Sequence, residues 1–137
     1  MIIADTSGLL ALYNQREPAH ATTARVIAKT SDLVVVSPYV VAELDYLAAR
    51  RLGVDAELLI LRELGSGAYE LPSLDADELN RCAEVIERYS DQAVGVTDAS
   101  LVVLAHRYRT RTILTLDHRH FDVLRPLDGG RFKLVPG

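Results

Sequence analysis

Two kinds of segment alternate along the 137 residues of this chain, and the alternation restricts its possible folds more than any other feature. Short apolar runs rich in β-branched residues predict buried strands. These runs cover residues 2–4, 33–36, 112–116 and 132–135, with a weaker candidate at 69–71. Longer segments with a 3.6-residue apolar period predict helices. They cover residues 7–14, 19–29, 38–52, 55–64, 75–89 and 97–108.

This order of elements predicts the fold class. Strands that are apolar throughout and separated by helices are typical of a parallel sheet covered on both faces. We therefore expect an α/β protein, a three-layer α/β/α sandwich with a mostly parallel central sheet. The length suits one domain over residues 1–137, and no internal repeat or linker interrupts the chain.

The composition of the chain argues against several classes of function. No apolar run approaches the roughly 18 residues of a membrane-spanning helix. The net charge of −4 argues against a dedicated duplex-DNA binder, but not against a nuclease whose clustered carboxylates lower the charge. Cys82 is the only cysteine, which excludes an internal disulfide and is consistent with a reducing cytoplasm. Its helical spacing with Leu79, Ala83 and Ile86 predicts a buried side chain.

Two aspartates stand directly after predicted strands. Asp5 follows the first strand and Asp117 follows the strand at residues 112–116. Because ligands bind beyond the C-terminal ends of parallel strands, both acids are candidates for a functional site at one edge of the sheet. Helix capping is the alternative for Asp5, which precedes Thr6 and Ser7.

Acids on two predicted helices extend the set. Asp98 lies in a first helical turn, on the face of Leu101 and Ala105, so it points towards the core. Stabilisation by the helix dipole is the alternative role there. Glu43 and Asp45 flank the apolar face of another helix on opposite sides, and periodicity does not choose between them.

Carboxylates that converge on one cleft repel one another unless a cation compensates their charge. Mg²⁺ and Mn²⁺ prefer oxygen ligands and suit phosphodiester hydrolysis. The acids therefore suggest a metal-dependent enzyme that acts on phosphate esters.

Four motifs in order resemble the PIN-domain family, and more narrowly the VapC-type ribonuclease toxins of bacterial toxin–antitoxin pairs. They are "IIADTSGLLAL", "VVAEL", "TDASLVVLA" and "ILTLDHRHF", and the resemblance covers essentially the whole chain. It implies Mg²⁺- or Mn²⁺-dependent endoribonuclease activity, a homodimer, and inhibition by a cognate VapB-type antitoxin.

The resemblance also implies the site residues. The acidic site of the family maps to Asp5, Glu43, Asp98 and Asp117, which favours Glu43 over Asp45. The principal metal ligands would be Asp5 and Asp98, with Asp117 completing the shell and Glu43 acting through water. Thr6 and Thr115 match positions where the family often has a hydroxyl that orients an acid or its water.

Basic residues and histidines surround these motifs. Arg119 closely follows Asp117 and is a candidate to contact RNA phosphate or an antitoxin carboxylate. Arg107, Arg109 and Arg111 fit a cationic helix end, with RNA contact as the alternative. For His118 and His120 a backbone partner in a turn or short helix is favoured over a role as general acid.

Two other functions fit the acids less well. A Mg²⁺-dependent phosphatase with Asp5 as nucleophile would commonly carry a second aspartate two residues later, where this chain has Ser7. A non-catalytic RNA- or protein-binding domain on the same fold is the other alternative, which metal-dependent turnover would exclude.

Overall fold

The computed structural model describes residues 1–137, which form five strands and seven helices. The strands are β1 (Ile2–Ala4), β2 (Val34–Val36), β3 (Tyr69–Glu70), β4 (Thr112–Leu114) and β5 (Lys133–Val135). The helices are α1 (Thr6–Tyr13), α2 (His20–Lys29), α3 (Pro38–Leu52), α4 (Val54–Leu64), α5 (Ala76–Arg88), α6 (Val96–Arg107) and α7 (His118–Val123). Each predicted strand and helix is present. For the residues after Asp117 the sequence predicted a turn or a short helix, and the structure has the short helix α7.

All five strands are parallel, in the order β3-β2-β1-β4-β5. The central strand β1 pairs with β2 on one side and β4 on the other, so Ile3 stands opposite both Val35 and Ile113. The chain moves outward from β1 through β2 and β3, then crosses to the other side for β4 and β5. The predicted sandwich around a mostly parallel sheet is confirmed.

The strand order reverses between β1 and β4. At such a position the connections after the two strands leave in opposite directions and open a crevice at the C-terminal edge of the sheet. Asp5 follows β1 and Asp117 lies three residues after β4, so both acids stand at this crevice. The sheet topology thus brings together acids that are far apart in sequence.

The core consists of 27 buried residues from the sheet and the helices on both faces. Helix α6 contributes most densely, since every residue from Ala99 to Ala105 is buried. Cys82 of α5 is only 1% exposed, as its helical spacing predicted. No helix combines the length and apolar character that a membrane span requires.

Gly8 allows α1 to pack directly on β4. A β-carbon at this position would lie 2.5 Å from the carbonyl oxygen of Leu114 and 2.8 Å from its Cγ atom. Any side chain would therefore push the helix away from the strand. The close approach places Ser7, the preceding residue, against the chain that follows β4.

Candidate active site

The four predicted acids line one cavity of about 380 Å³ at the crevice between β1 and β4. Asp5 comes from the end of β1, Glu43 from α3, Asp98 from α6, and Asp117 from the segment after β4. The cavity continues along a groove between α1 and α3, whose walls include Leu10 and Leu47.

Asp5 is the most deeply buried of these acids, at 6% exposure. Its Oδ1 atom accepts the backbone N–H of Thr6 at 2.8 Å, so it caps α1. Its Oδ2 atom accepts the hydroxyls of Thr115 at 2.8 Å and Ser7 at 3.2 Å. Burial raises the pKa of Asp5 above its ordinary value, although these hydrogen bonds partly oppose the shift. Capping and a role in the site are therefore compatible.

Two hydroxyls connect Asp5 to the backbone that carries Asp117. The Thr115 oxygen accepts the N–H of Asp117 at 2.9 Å, and the Ser7 oxygen accepts the N–H of Leu116 at 2.9 Å. The bond from Leu116 to Ser7 explains why β4 ends earlier than predicted, since this amide leaves the sheet ladder. Thr115 contacts Asp5 directly, and the contacts that Ser7 makes were not predicted from the sequence.

Thr6 lines the cavity, and its hydroxyl is buried without a hydrogen-bond partner. It does not contact an acid; only the backbone N–H of Thr6 holds Asp5. A buried hydroxyl without a partner is uncommon in proteins, because its desolvation is not compensated.

Asp98 lies in the first turn of α6 with a side chain that is 19% exposed. Burial, together with the negative charge of Asp5, raises the pKa of Asp98 to about 6. The negative charges of Asp117 and Glu43 contribute to this rise in the pKa of Asp98, and His120 opposes it. Gly95 is the N-cap residue of α6, so no side chain caps this helix, and Asp98 lines the cavity.

His120 bridges two of the acids. Its Nδ1 atom lies 3.0 Å from Oδ2 of Asp117 and 3.5 Å from Oδ2 of Asp98. Its backbone N–H also bonds Oδ1 of Asp117, which caps α7. The backbone partner predicted for its ring is therefore wrong: α7 turns the imidazole into the cavity, whereas His118 is exposed.

The structure separates Glu43 from Asp45. Glu43 lines the cavity, while Asp45 lies on the α4 side of the same helix. The Asp45 carboxyl raises the pKa of Glu57 of α4, because only the protonated form of Glu57 can donate a hydrogen bond to it. Of the two acids that the helical period left equivalent, only Glu43 lines the cavity.

The donors fit a hard divalent cation that keeps part of its water shell. The cavity is lined by carboxylates and by Thr6, whose buried hydroxyl has no partner, and oxygen donors are those that Mg²⁺ and Mn²⁺ prefer. No three His, Cys, Asp or Glu side chains are arranged to enclose an ion by themselves. Mg²⁺ commonly binds through one or two carboxylates and retains several waters.

The predicted basic residues occupy different surroundings. Arg119 is exposed on α7 and does not line the cavity. Arg107 pairs with Glu78 at 3.4 Å and Arg111 with Asp128 at 3.2 Å, at the end of α6 remote from Asp98. Of the three arginines predicted at a cationic helix end, only Arg107 lies in the last turn of α6, whereas Arg109 and Arg111 follow the helix. One arginine that the sequence did not single out, Arg51 of α3, does line the cavity.

A parallel sheet with acids at its point of strand reversal is the arrangement expected of a PIN domain, and comparison with known families agrees. The PIN domain family matches residues 2–125, and the chain belongs to this family. Within it, the chain is 57% identical over 135 residues to Ribonuclease VapC26 of Mycobacterium tuberculosis. That alignment covers 98% of this chain and 100% of the relative.

Solved structures share the fold. The crystal structure of Mycobacterium tuberculosis VapC20, a Sarcin-Ricin loop cleaving toxin, superposes with a TM-score of 0.81 at 24% identity. The match covers 87% of this chain and 92% of VapC20. A toxin–antitoxin complex from Klebsiella pneumoniae superposes with a TM-score of 0.70 at 15% identity, covering 90% of this chain and 92% of that one.

Proposed function

We propose that this protein is a Mg²⁺- or Mn²⁺-dependent endoribonuclease, the toxin of a bacterial toxin–antitoxin pair, formed by one PIN-like domain over residues 1–137. The observation that carries the proposal is the convergence of Asp5, Glu43, Asp98 and Asp117 on one cavity. The identity of 57% to a protein named as a ribonuclease supports RNA as the substrate.

Asp5 and Asp98 would be the principal ligands of the cation, with Asp117 completing the shell directly or through water. When bound, the cation supplies a water of lowered pKa and stabilises negative charge on the phosphate and the leaving oxygen. The raised pKa values of Asp5 and Asp98 support this assignment, because they mark buried anionic sites that a positive charge would stabilise.

The other residues of the site position the reacting groups. The hydrogen bonds from Thr6, Thr115 and Ser7 hold the Asp5 carboxylate in one orientation. Glu43, the exposed acid of the set, would orient the attacking water. The partnerless hydroxyl of Thr6 would bond that water or one bound to the cation. Arg119 remains a candidate to contact RNA or antitoxin beyond the cavity.

The partners follow from the family. We propose a homodimer that a VapB-type antitoxin inhibits. A toxin–antitoxin complex with the same fold supports the antitoxin partner. An antitoxin that covers the cavity would exclude RNA and keep the enzyme inactive until it is released.

The test is cleavage of RNA by the purified protein with Mn²⁺, with EDTA, and by Asp5→Asn and Asp98→Asn. Each variant should lose at least about 100-fold in activity, since it removes a ligand charge without changing side-chain size. Asp45→Asn is the matched control, because this acid lies on α3 outside the cavity. Full cleavage in EDTA, or by both cavity variants, would contradict the proposal.

A further inference from the structure

We propose that Arg51 is a substrate-positioning residue that binds an RNA phosphate flanking the cleaved bond. This inference rests on the proposed ribonuclease function and concerns how that site holds its substrate. Arg51 lies in the last turn of α3 and lines the same cavity as the four acids.

The helical period places Arg51 on the wall of the groove. Glu43, Leu47 and Arg51 are spaced four residues apart, so they form one stripe along α3, and all three line the cavity. The facing wall comes from α1, through Ser7, Leu10 and Ala11. The groove therefore leads from the acids to the end of α3.

Arg51 carries the only permanent positive charge in this cavity. The lining includes five carboxylates and no other arginine or lysine. Arg51 is exposed and makes no salt bridge, although Glu17 lines the same cavity. A guanidinium that no carboxylate neutralises is free to bind phosphate through two parallel hydrogen bonds.

Interaction with the helix dipole does not explain why Arg51 lines the groove, as comparison with the neighbouring Arg50 shows. Both arginines stand in the last turn of α3, where a cation interacts favourably with the helix dipole. Arg50, however, donates a hydrogen bond to the Tyr46 hydroxyl at 2.6 Å and lies over its ring. Only Arg51 faces the groove that the acids occupy.

Distance decides which phosphate Arg51 would contact. Eight residues separate it from Glu43, which corresponds to about 12 Å along the helix axis. The acids and the arginine therefore serve different positions of one RNA strand. The acids act at the cleaved phosphate, and Arg51 binds a neighbouring phosphate within the groove.

The experiment compares the wild type, Arg51→Ala, Arg51→Lys and Arg50→Ala on one RNA oligonucleotide in Mn²⁺. Arg51→Ala should raise KM about tenfold, as expected for a lost bond to a charged group, and lower kcat much less. It should also reduce the slope of log KM against log salt by about 0.7, the value for one phosphate contact on a single strand. Arg51→Lys should recover part of the loss.

A shorter substrate makes the test specific. The increase in KM caused by Arg51→Ala should be smaller on a dinucleotide whose only phosphate is the one that is cleaved. Arg50→Ala should match the wild type on both substrates. If Arg51→Ala also matches the wild type in KM and salt slope, or loses as much on the dinucleotide as on the longer RNA, the inference is wrong. Absence of metal-dependent cleavage by the wild type would instead overturn the proposed function.

Discussion

The Thr115 hydroxyl donates a hydrogen bond of 2.8 Å to Oδ2 of Asp5 across the two central strands of the sheet. The same oxygen accepts the N–H of Asp117. One side chain therefore sets the relative positions of two acids that come from opposite ends of the chain.

Replacing Thr115 by valine should reduce RNA cleavage about 10- to 100-fold, the range measured when groups that orient metal ligands are removed. Valine keeps the shape of the side chain but leaves Oδ2 of Asp5 and the N–H of Asp117 without this partner. The Mn²⁺ concentration for half-maximal activity should rise as well, because the ligands are less well oriented. Thr115→Ser should restore most of the activity; equal losses in both variants would point to packing rather than to the hydroxyl.

His120→Ala should lower RNA cleavage and weaken the response to Mn²⁺, because the ring no longer holds the carboxylates of Asp98 and Asp117 in place. A Mn²⁺ titration of activity measures both effects. His118→Ala is the matched control, since its ring is exposed on the same short helix. Identical titration curves for the two variants would show that His120 has no role in the site.

The stability of the metal-free protein should depend on pH through Asp98. Its pKa is about 6 in the folded protein, against an ordinary value of 3.8. Folding therefore favours the protonated acid, so this contribution to stability is full below pH 3.8 and is lost as the pH rises through 6.

Urea unfolding in EDTA at about pH 5 and about pH 7.5 measures this effect. The wild type should lose more stability between the two pH values than Asp98→Asn, which cannot ionise. Mg²⁺ should restore stability to the wild type at the higher pH, through binding to the folded state only. Parallel pH profiles for the two proteins would show that Asp98 is not destabilised by its surroundings.

Gly8→Ala should destabilise the protein by about 1–3 kcal/mol, the usual effect of added volume in a tightly packed interior. The new methyl group would meet the backbone of Leu114, which cannot move without distorting β4. Gly65→Ala is a suitable control, because its β-carbon would meet its nearest neighbour at an ordinary 3.4 Å. Urea unfolding compares the two, and a Gly8 variant as stable as the Gly65 variant would exclude the close contact between α1 and β4.

The amino-acid sequence by itself determined the order of strands and helices, the parallel sheet, and two acids at strand ends. These features depend on the spacing and number of apolar residues along the chain, which can be read directly from the sequence. The sheet prediction then required Asp5 and Asp117 to meet at one edge, because parallel strands share the direction of their C-terminal ends. The meeting of these two acids could therefore be predicted without any interatomic distance.

Tertiary structure decided which side chains share the cavity. The helical period of the apolar residues does not distinguish Glu43 from Asp45. Because α3 packs between α1 and α4, Glu43 faces the other acids of the cavity and Asp45 faces Glu57. The contacts of Ser7 depend on the close approach of α1 to β4, and those of His120 on the direction in which α7 leaves Asp117. Such contacts depend on how helices are placed against the sheet to within an ångström, and the local period of a sequence carries no information about that placement.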